Sequence, residues 1–377
     1  MVTRFAAKGL FLAFVLASLT SVRAAACTTA IVSAEASSTG RPMIWKQRDA
    51  DNVRNGLAYM RGERFSYTGI YADTDTLHRK TYGGINEAGF AIANNLSYNL
   101  RPDETGTQNG LLMSRALGLC ETLDDFEKML KAGTGLEISA NYAVIDAHGG
   151  AAYFEAWDNG YTRYDVPKGG ALYRTNFSLS GREGEGGGYV RYEAISRIMK
   201  KQPRGGFSPE FFLDASRNFV NGLSGKDALK GKDSFVYDND YIPRPWSASS
   251  TIIVGVAPGQ KADSGMMWFV PGYPPCSYAI AAWVAAGENL PACISGDSPA
   301  NGLAVELMQR VHPYKWEGGD EYLDVKAVKR IIPLVKRAEK AELREARQTD
   351  GFNPAEVLGY NKACEERFEA FKQKVTR

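Results

Sequence analysis

The stretch NYAVIDAHGGAAYFEAW, residues 141–157, constrains the fold more than any other part of the chain. Two runs of strand-forming residues flank an Asp-Ala-His-Gly-Gly turn, the pattern of an antiparallel hairpin. Further strand-like runs are TTAIVS after Cys27, PMIWKQRD (42–49), LAYMRG (57–62), GINEAGFAIANNLS (84–97, a turn and then a strand) and ALYRTNFS (171–178). STIIVGVA (250–257) and GMMWFV (265–270) follow, and SYAIAAWVAA (277–286) reads as a buried strand or strand pair. Helical segments come in pairs. GLLMSRALGLC (110–120) precedes LDDFEKMLKAG, which Thr122 is placed to cap, and a second pair is expected at 189–201 and 208–221, where Ser208 and Pro209 give a start signal. Strands in hairpin-like sets separated by helical pairs do not fit the regular strand–helix alternation of a doubly wound fold. From about residue 299 the chain turns helical and charged, with Pro333 expected to interrupt the first long helix and the charge run read as a solvated face.

The N-terminus reads as a secretory signal over residues 1–26. Arg4 and Lys8 precede the apolar segment GLFLAFVLASLTSV (9–22), and Ala24 and Ala26 occupy the small-residue positions before a cut. The apolar run falls short of the roughly 20 residues that a membrane span needs. The expectation is an exported chain, periplasmic or secreted, that is cut after Ala26, has no membrane span, and divides into 27–315 and a charged helical extension at 316–377. That extension could cover the core or a second subunit, as in a homo-oligomer.

Loss of Arg4, Lys8 and Arg23 takes Lys+Arg from 45 to 42 against 43 acidic residues, a net charge near −1. Nucleic acid is therefore not expected as a partner, since its binding needs a basic stripe that displaces counterions. The three histidines are scattered and no CxxC or HExxH occurs, so neither a metal nor another cofactor is expected. SGREGEGGGYV (180–190) fits no phosphate-loop pattern and reads as a mobile loop. Apart from Cys27, four cysteines remain. Cys276 and Cys293 form a plausible pair or are two small buried hydrophobes, and Cys120 with Cys364 is a weaker pairing.

Cys27 follows three alanines at the expected cut. Cleavage there would leave one residue carrying a thiol and a free α-amine. The amine's ordinary pKa of about 7.7–8.0 lets it take the thiol proton, so one residue supplies nucleophile and base without a histidine. Amide cleavage also needs fixed donors for the tetrahedral oxyanion, an acceptor to orient the amine, and a cation near the thiol. KQRDAD supplies Arg48 and Asp51. Asn94–Asn95 and Thr175–Asn176 each end a strand-like run in an amide side chain.

CTTAIV, RDAD, GINEAGFAIANNL, RTN and YVRYEA resemble, in that order, segments of the N-terminal nucleophile hydrolases. The similar groups are the choloylglycine hydrolases with penicillin V acylases, and the acyl-coenzyme A:6-aminopenicillanic acid acyltransferases. The resemblance spans roughly residues 27–290 and takes in the 141–157 hairpin and GYPPCSYAIAAWV. It implies an α+β fold, a four-layer αββα sandwich of two antiparallel sheets between helix layers. It also implies hydrolysis of a linear, non-peptide amide in a small N-acyl substrate. Cys27 matches the nucleophile, Arg48 the arginine beside the thiol, and Asp51 the carboxylate that holds the α-amine. Asn95, in preference to Asn94, matches the first oxyanion-hole residue and Asn176 the second, while Arg191 matches a later site arginine across a glycine-rich run that departs from the family pattern. Acyl transfer is the variant in which another amine replaces water. The reading from a different class is an inactive surface lipoprotein or binding module, with lipid on Cys27. Against it, Ala24 stands where a lipobox prefers a leucine-like residue. Selectivity is expected to lie in loops near 60–80, 135–140 and 180–190.

Overall fold

A computed structural model of the chain describes residues 26–101, 106–315 and 321–376. The signal segment expected at the N-terminus lies outside these residues, apart from Ala26. In chain order the strands β1 (Thr28–Val32), β2 (Met43–Asp49), β3 (Asn55–Arg61), β4 (Ser66–Ala72), β5 (Gly83–Asn86) and β6 (Ala91–Leu96) lead to helices α1 (Asn109–Leu119) and α2 (Leu123–Lys131). Next come β7 (Ser139–Ile145), β8 (Ala151–Trp157), β9 (Gly160–Asp165) and β10 (Ala171–Arg174), followed by α3 (Tyr189–Met199) and α4 (Pro209–Ala215). β11 (Phe235–Tyr237), β12 (Ser247–Val254), β13 (Met266–Pro271) and β14 (Ile280–Trp283) precede α5 (Pro299–Val311). The chain closes with β15 (Tyr314–Lys315), β16 (Glu321–Asp324), α6 (Val325–Gln348) and α7 (Pro354–Val375).

β3 to β9 form a seven-stranded antiparallel sheet in sequence order, which includes the β7–β8 hairpin expected from residues 141–157. A six-stranded antiparallel sheet has the order β10-β1-β2-β12-β13-β14. The two sheets stack face to face because the strands bury both sides. Along β7, Ala143 and Ile145 join Ile31 and Ile44 in the core between the sheets, while Tyr142 and Val144 pack with Leu112, Leu117 and Phe126 of α1 and α2. The Phe126 ring meets Phe154 edge-on at 5.2 Å. On the other side of the molecule, Trp45 of β2 stacks on Phe212 of α4 at 5.6 Å and donates to Ser216 and Ser250. Each such aromatic contributes about 1.5–3 kcal/mol by leaving water. The layers are therefore helix, sheet, sheet, helix: the α+β sandwich expected.

Local signals account for several element boundaries. Thr122 and Asp125 form a reciprocal capping box at the start of α2, with both bonds at 3.1 Å. Ser208 caps α4 as expected, but the helix stops at Ala215 rather than 221. The Asn218 side chain accepts from Val220 N at 2.9 Å, a local turn that competes with helix. Pro333 does not interrupt α6. The helix runs through it, held by burial of Val328 and Val335 on either side.

The C-terminal residues form no separate layer. β15 and β16 make a hairpin across the expected 315/316 boundary, and β16 also pairs with β11. Val335, Leu343, Tyr360 and Phe371 enter the main core. Glu339 of α6 forms a buried ion pair with Arg217 at 2.6 Å. Of the two readings of Cys276 and Cys293, the structure fits small buried hydrophobes and not a pair. All five thiols are free and buried, and the partner of Cys293 is Cys364, with the sulfurs 3.7 Å apart, not Cys276. No helix of the described residues is long and apolar enough to cross a membrane.

Candidate active site

β1 lies between β10 and β2, and its alternation sends successive side chains to opposite faces. Thr28 faces α3, where Arg191 reaches its hydroxyl at 2.9 Å. Thr29 faces the other sheet and bonds Asn95 at 2.6 Å and Tyr153 at 2.8 Å. Cys27, one step before β1, is buried, with its Sγ 3.9 Å from the carbonyl of Asp49. It lines a cavity of about 380 Å³, together with Lys46 and Arg48 of β2, Tyr82, Asn94 and Leu96 of β6, and Met113 of α1. A volume of this order suits a small molecule.

Arg191 is the clearest organiser of the site. From the first turn of α3 its Nη1 donates to the Cys27 carbonyl at 2.7 Å, and its Nη2 donates to Asn176 Oδ1 at 2.8 Å. That contact fixes the Asn176 amide so that its amino group faces the Leu96 carbonyl at 2.9 Å. Burial and the charge of Arg244 both pull the Arg191 guanidinium below its ordinary pKa. The glycine-rich run makes this approach possible. Gly188 has φ +81°, and a Cβ on it would stand 2.4 Å from Arg191 Nη2. The run expected to be a mobile loop is thus held at one end by a bridge between Asn176 and Gly187.

The two neighbouring asparagines part company. Asn95 is fully buried, with Oδ1 accepting from Thr29 and Nδ2 donating to the Thr175 carbonyl. Its amide is thereby committed inside the sandwich, away from the cavity. Asn94 lines the cavity, its Oδ1 accepting from Lys46 Nζ at 2.9 Å. The side-chain period of 2 in β6 forces this split, since adjacent residues face opposite sides. Ser97 N donates to Ser139 O at 3.1 Å, so the ladder alternation turns the backbone N–H of Leu96 away from β7, to the side where its carbonyl meets Asn176.

Arg48 is buried beside the cavity, its guanidinium 3.6 Å over the ring of Tyr82. Asp51 is exposed on the bend after β2, and its side chain makes no hydrogen bond among the described residues. The buried carboxylate here is Asp49, two residues earlier at the end of β2. It accepts from Arg244 Nε and from Ser247 Oγ, each at 2.7 Å. Arg244 Nη2 also reaches the carbonyl of Ala26 at 3.3 Å, so an Asp49–Arg244 pair borders the Ala26–Cys27 peptide bond. Tyr98 completes the surroundings. Burial pushes its phenol well up, and the charge of Cys27 adds to this. Arg244 sits in PRPWSASS, which carries no sequence signal for the role. Lys46 was visible in WKQRDAD but lacked a motif to draw attention to it.

Residues 59–204 match the family described as acyl-coenzyme A:6-aminopenicillanic acid acyl-transferase. No curated protein matches the sequence. Similar solved structures include the Caenorhabditis elegans ortholog of N-acylethanolamine-hydrolyzing acid amidase, 14% identical, covering 60% of this chain and 92% of that one, with a TM-score of 0.39. Another is penicillin V acylase from Agrobacterium tumefaciens, 13% identical over 68% of this chain and 86% of that one, TM-score 0.38. A third is a mutant of conjugated bile acid hydrolase from Clostridium perfringens, 12% identical over 68% of this chain and 92% of that one, TM-score 0.40.

Proposed function

We propose that the protein is an exported N-terminal cysteine amidohydrolase that cleaves a linear N-acyl amide through a thioester on Cys27. The observation that carries this reading is the pair of hydrogen bonds that Arg191 donates, one to the Cys27 carbonyl and one to Asn176 Oδ1. It locks a buried thiol and an amide donor into one rigid unit at the edge of a ligand-sized cavity. The match of residues 59–204 to an acyl-transferring family supports the same chemistry.

Cleavage after Ala26 frees the Cys27 amine, which until then is a non-basic peptide nitrogen. The amine takes the proton of Sγ, and the sulfur attacks the acyl carbonyl. Asn176 Nδ2 and the Leu96 backbone N–H receive the oxyanion; together such donors are worth a few kcal/mol in the transition state. The ammonium then protonates the leaving amine. Water, activated by the same α-amine, releases the acid from the thioester. Asp49, paired with Arg244, orients the amine in this scheme, in place of Asp51. Asn95 acts as a positioning residue through Thr29. Replacement of water by a second amine would give acyl transfer, which the name of the matching family keeps open. A lipid on Cys27 is disfavoured by the burial of its side chain.

The test is an intact mass and N-terminal read of exported protein with and without a thiol-alkylating reagent, followed by turnover of N-acyl amides. The expected chain begins at an unmodified Cys27 that alkylates first, and Cys27→Ala lowers turnover by at least a thousandfold while the circular dichroism is retained. Full turnover by Cys27→Ala would end the reading.

A further inference from the structure

The cavity beside Cys27 carries a charge that this mechanism does not use. Lys46 is 3% exposed and points from β2 across the sandwich. Its Nζ donates to two neutral acceptors, the Tyr82 carbonyl at 2.7 Å and Asn94 Oδ1 at 2.9 Å. An ammonium has three donors, and among the described residues no carboxylate pairs with it. The other charged groups lining the cavity are Arg48, Lys80 and Asp49. Asp49 forms no ion pair with Lys46 among the described residues; its carboxylate is bonded by Arg244 and Ser247. The described lining is therefore net cationic, with Met113 and Leu96 supplying apolar surface between the charges and the thiol.

An ammonium taken out of water without a counter-ion is disfavoured by several kcal/mol. A methionine would fill the same space more stably. A group of this kind, held in a cavity with a nucleophile, is placed to receive the opposite charge of an arriving ligand. Burial then makes the contact strong, because the pair forms in a water-poor site where charge-assisted bonds count for most.

We propose that Lys46 is a specificity-determining residue and that the substrate is an anionic N-acyl amide, whose carboxylate or sulfonate docks on Lys46 Nζ while its acyl carbonyl lies against Cys27. The inference rests on the amidohydrolase reading for its substrate type, but the cationic lining stands without it. Lys80 at the cavity mouth and the Arg48 edge beside Tyr82 would draw such an anion inward.

The experiment uses processed enzyme, wild type and Lys46→Gln, the latter keeping a donor for the Tyr82 carbonyl while removing the charge. Turnover is measured on matched pairs that differ in one charge. N-glutaryl and N-pentanoyl aminomethylcoumarin place it on the acyl side, and N-hexanoylglycine and N-hexanoylglycinamide place it on the leaving side. N-hexanoyl-aminoethanesulfonate separates sulfonate from carboxylate. In one pair the anion is expected to be preferred at least tenfold by the wild type, with that preference lost in Lys46→Gln. In parallel, glutarate should slow alkylation of Cys27 in the wild type and not in Lys46→Gln, a readout that needs no turnover. Equal preference in both proteins, or equal loss of both members of each pair, overturns the proposal while leaving the hydrolase standing. Absence of all turnover with intact glutarate protection would instead fault the amidohydrolase reading, and absence of protection as well would overturn both.

Discussion

Arg191 Nη2 lies 2.8 Å from Asn176 Oδ1, and this bond decides which way the Asn176 amide faces. A flipped amide would present oxygen to an oxyanion and repel it. Arg191→Lys keeps a charge but loses the planar fork that spans Cys27 and Asn176. It should lower kcat by about 10²–10³, the order lost with one oxyanion donor, with KM little changed. Asn176→Ala should cost a similar factor, and the double variant should be little worse than either single one, since the two act as a unit. Steady-state kinetics of the four proteins checks this.

Asp49 and Asp51 are two residues apart and make opposite predictions. Asp51→Asn removes an exposed carboxylate and should change kcat/KM less than threefold. Asp49→Asn removes the buried partner of Arg244 and leaves that cation beside the α-amine. The amine then holds its proton less tightly, so the acidic limb of the kcat/KM profile moves to lower pH as the maximum falls. A pH profile of both variants separates the two carboxylates.

Lys46 should make the protein less stable than it could be. Burial brings its amine down to about 8, with Arg48 adding to the effect and Cys27 opposing it. Tyr82, Asn94 and Lys80 also line the cavity around it, and none supplies an anion. The folded state thus binds this proton more weakly than the unfolded chain, whose lysine pKa is about 10.4. The destabilisation is full below pH 8 and fades as pH rises from 8 towards 10. Lys46→Met should therefore raise the unfolding free energy by about 1–3 kcal/mol at pH 7, with the gain shrinking by pH 10. Denaturant melts at the two pH values test it.

Cys293 and Cys364 are set for oxidation, with sulfurs 3.7 Å apart and burial excluding larger partners. Refolding of the reduced chain with oxidised glutathione, while both thiols are still accessible, should pass their two electrons and two protons to glutathione and leave one disulfide joining the segment before α5 to α7. Mass should fall by about 2 Da, with peptide mapping placing the link there and not at Cys276. A bridge over a loop of this length should add about 2–4 kcal/mol.

Glu339 should prove as important to folding as any core residue. It accepts two bonds from Arg217 and one from Ala279 N. Glu339→Ala leaves a buried guanidinium unpaired, at a cost of about 3–5 kcal/mol. A chain ending at residue 315 removes the same partner together with Val335, Tyr360 and Phe371 and should not fold to a soluble monomer. Expression trials and urea melts decide both.

The layered fold was legible wherever a residue pattern repeats. The 141–157 hairpin, the Thr122 cap and the apolar runs of β1, β2, β12 and β13 all carry their structure locally. β4 and β9 were not seen, since SYTGIYA and GYTRYD mix polar and aromatic residues without a clear alternation. At the site, Cys27, Arg48, Asn176 and Arg191 could be named from motif order and do gather around the thiol. The choices between Asn95 and Asn94 and between Asp51 and Asp49 could not be made from sequence, because strand parity and bulges set which neighbour lines the cavity, and both are fixed by pairing with distant segments. β2 pairs with β12 through a register shift beside Ser247, at the same end of the strand as Asp49. Arg244 is invisible for the same reason: its partner is 195 residues away.

The Ala26–Cys27 bond is itself buried, and the Ala26 carbonyl is held by Arg244. An outside peptidase can reach that bond only while the segment is still an open strand. Under the proposed processing, timing would separate two fates for each copy. A chain cut first would close around a free amine. A chain that folded first would seal the proposed cleavage point and stay latent until it unfolded, so the compartment in which folding finishes would determine where the thiol becomes armed.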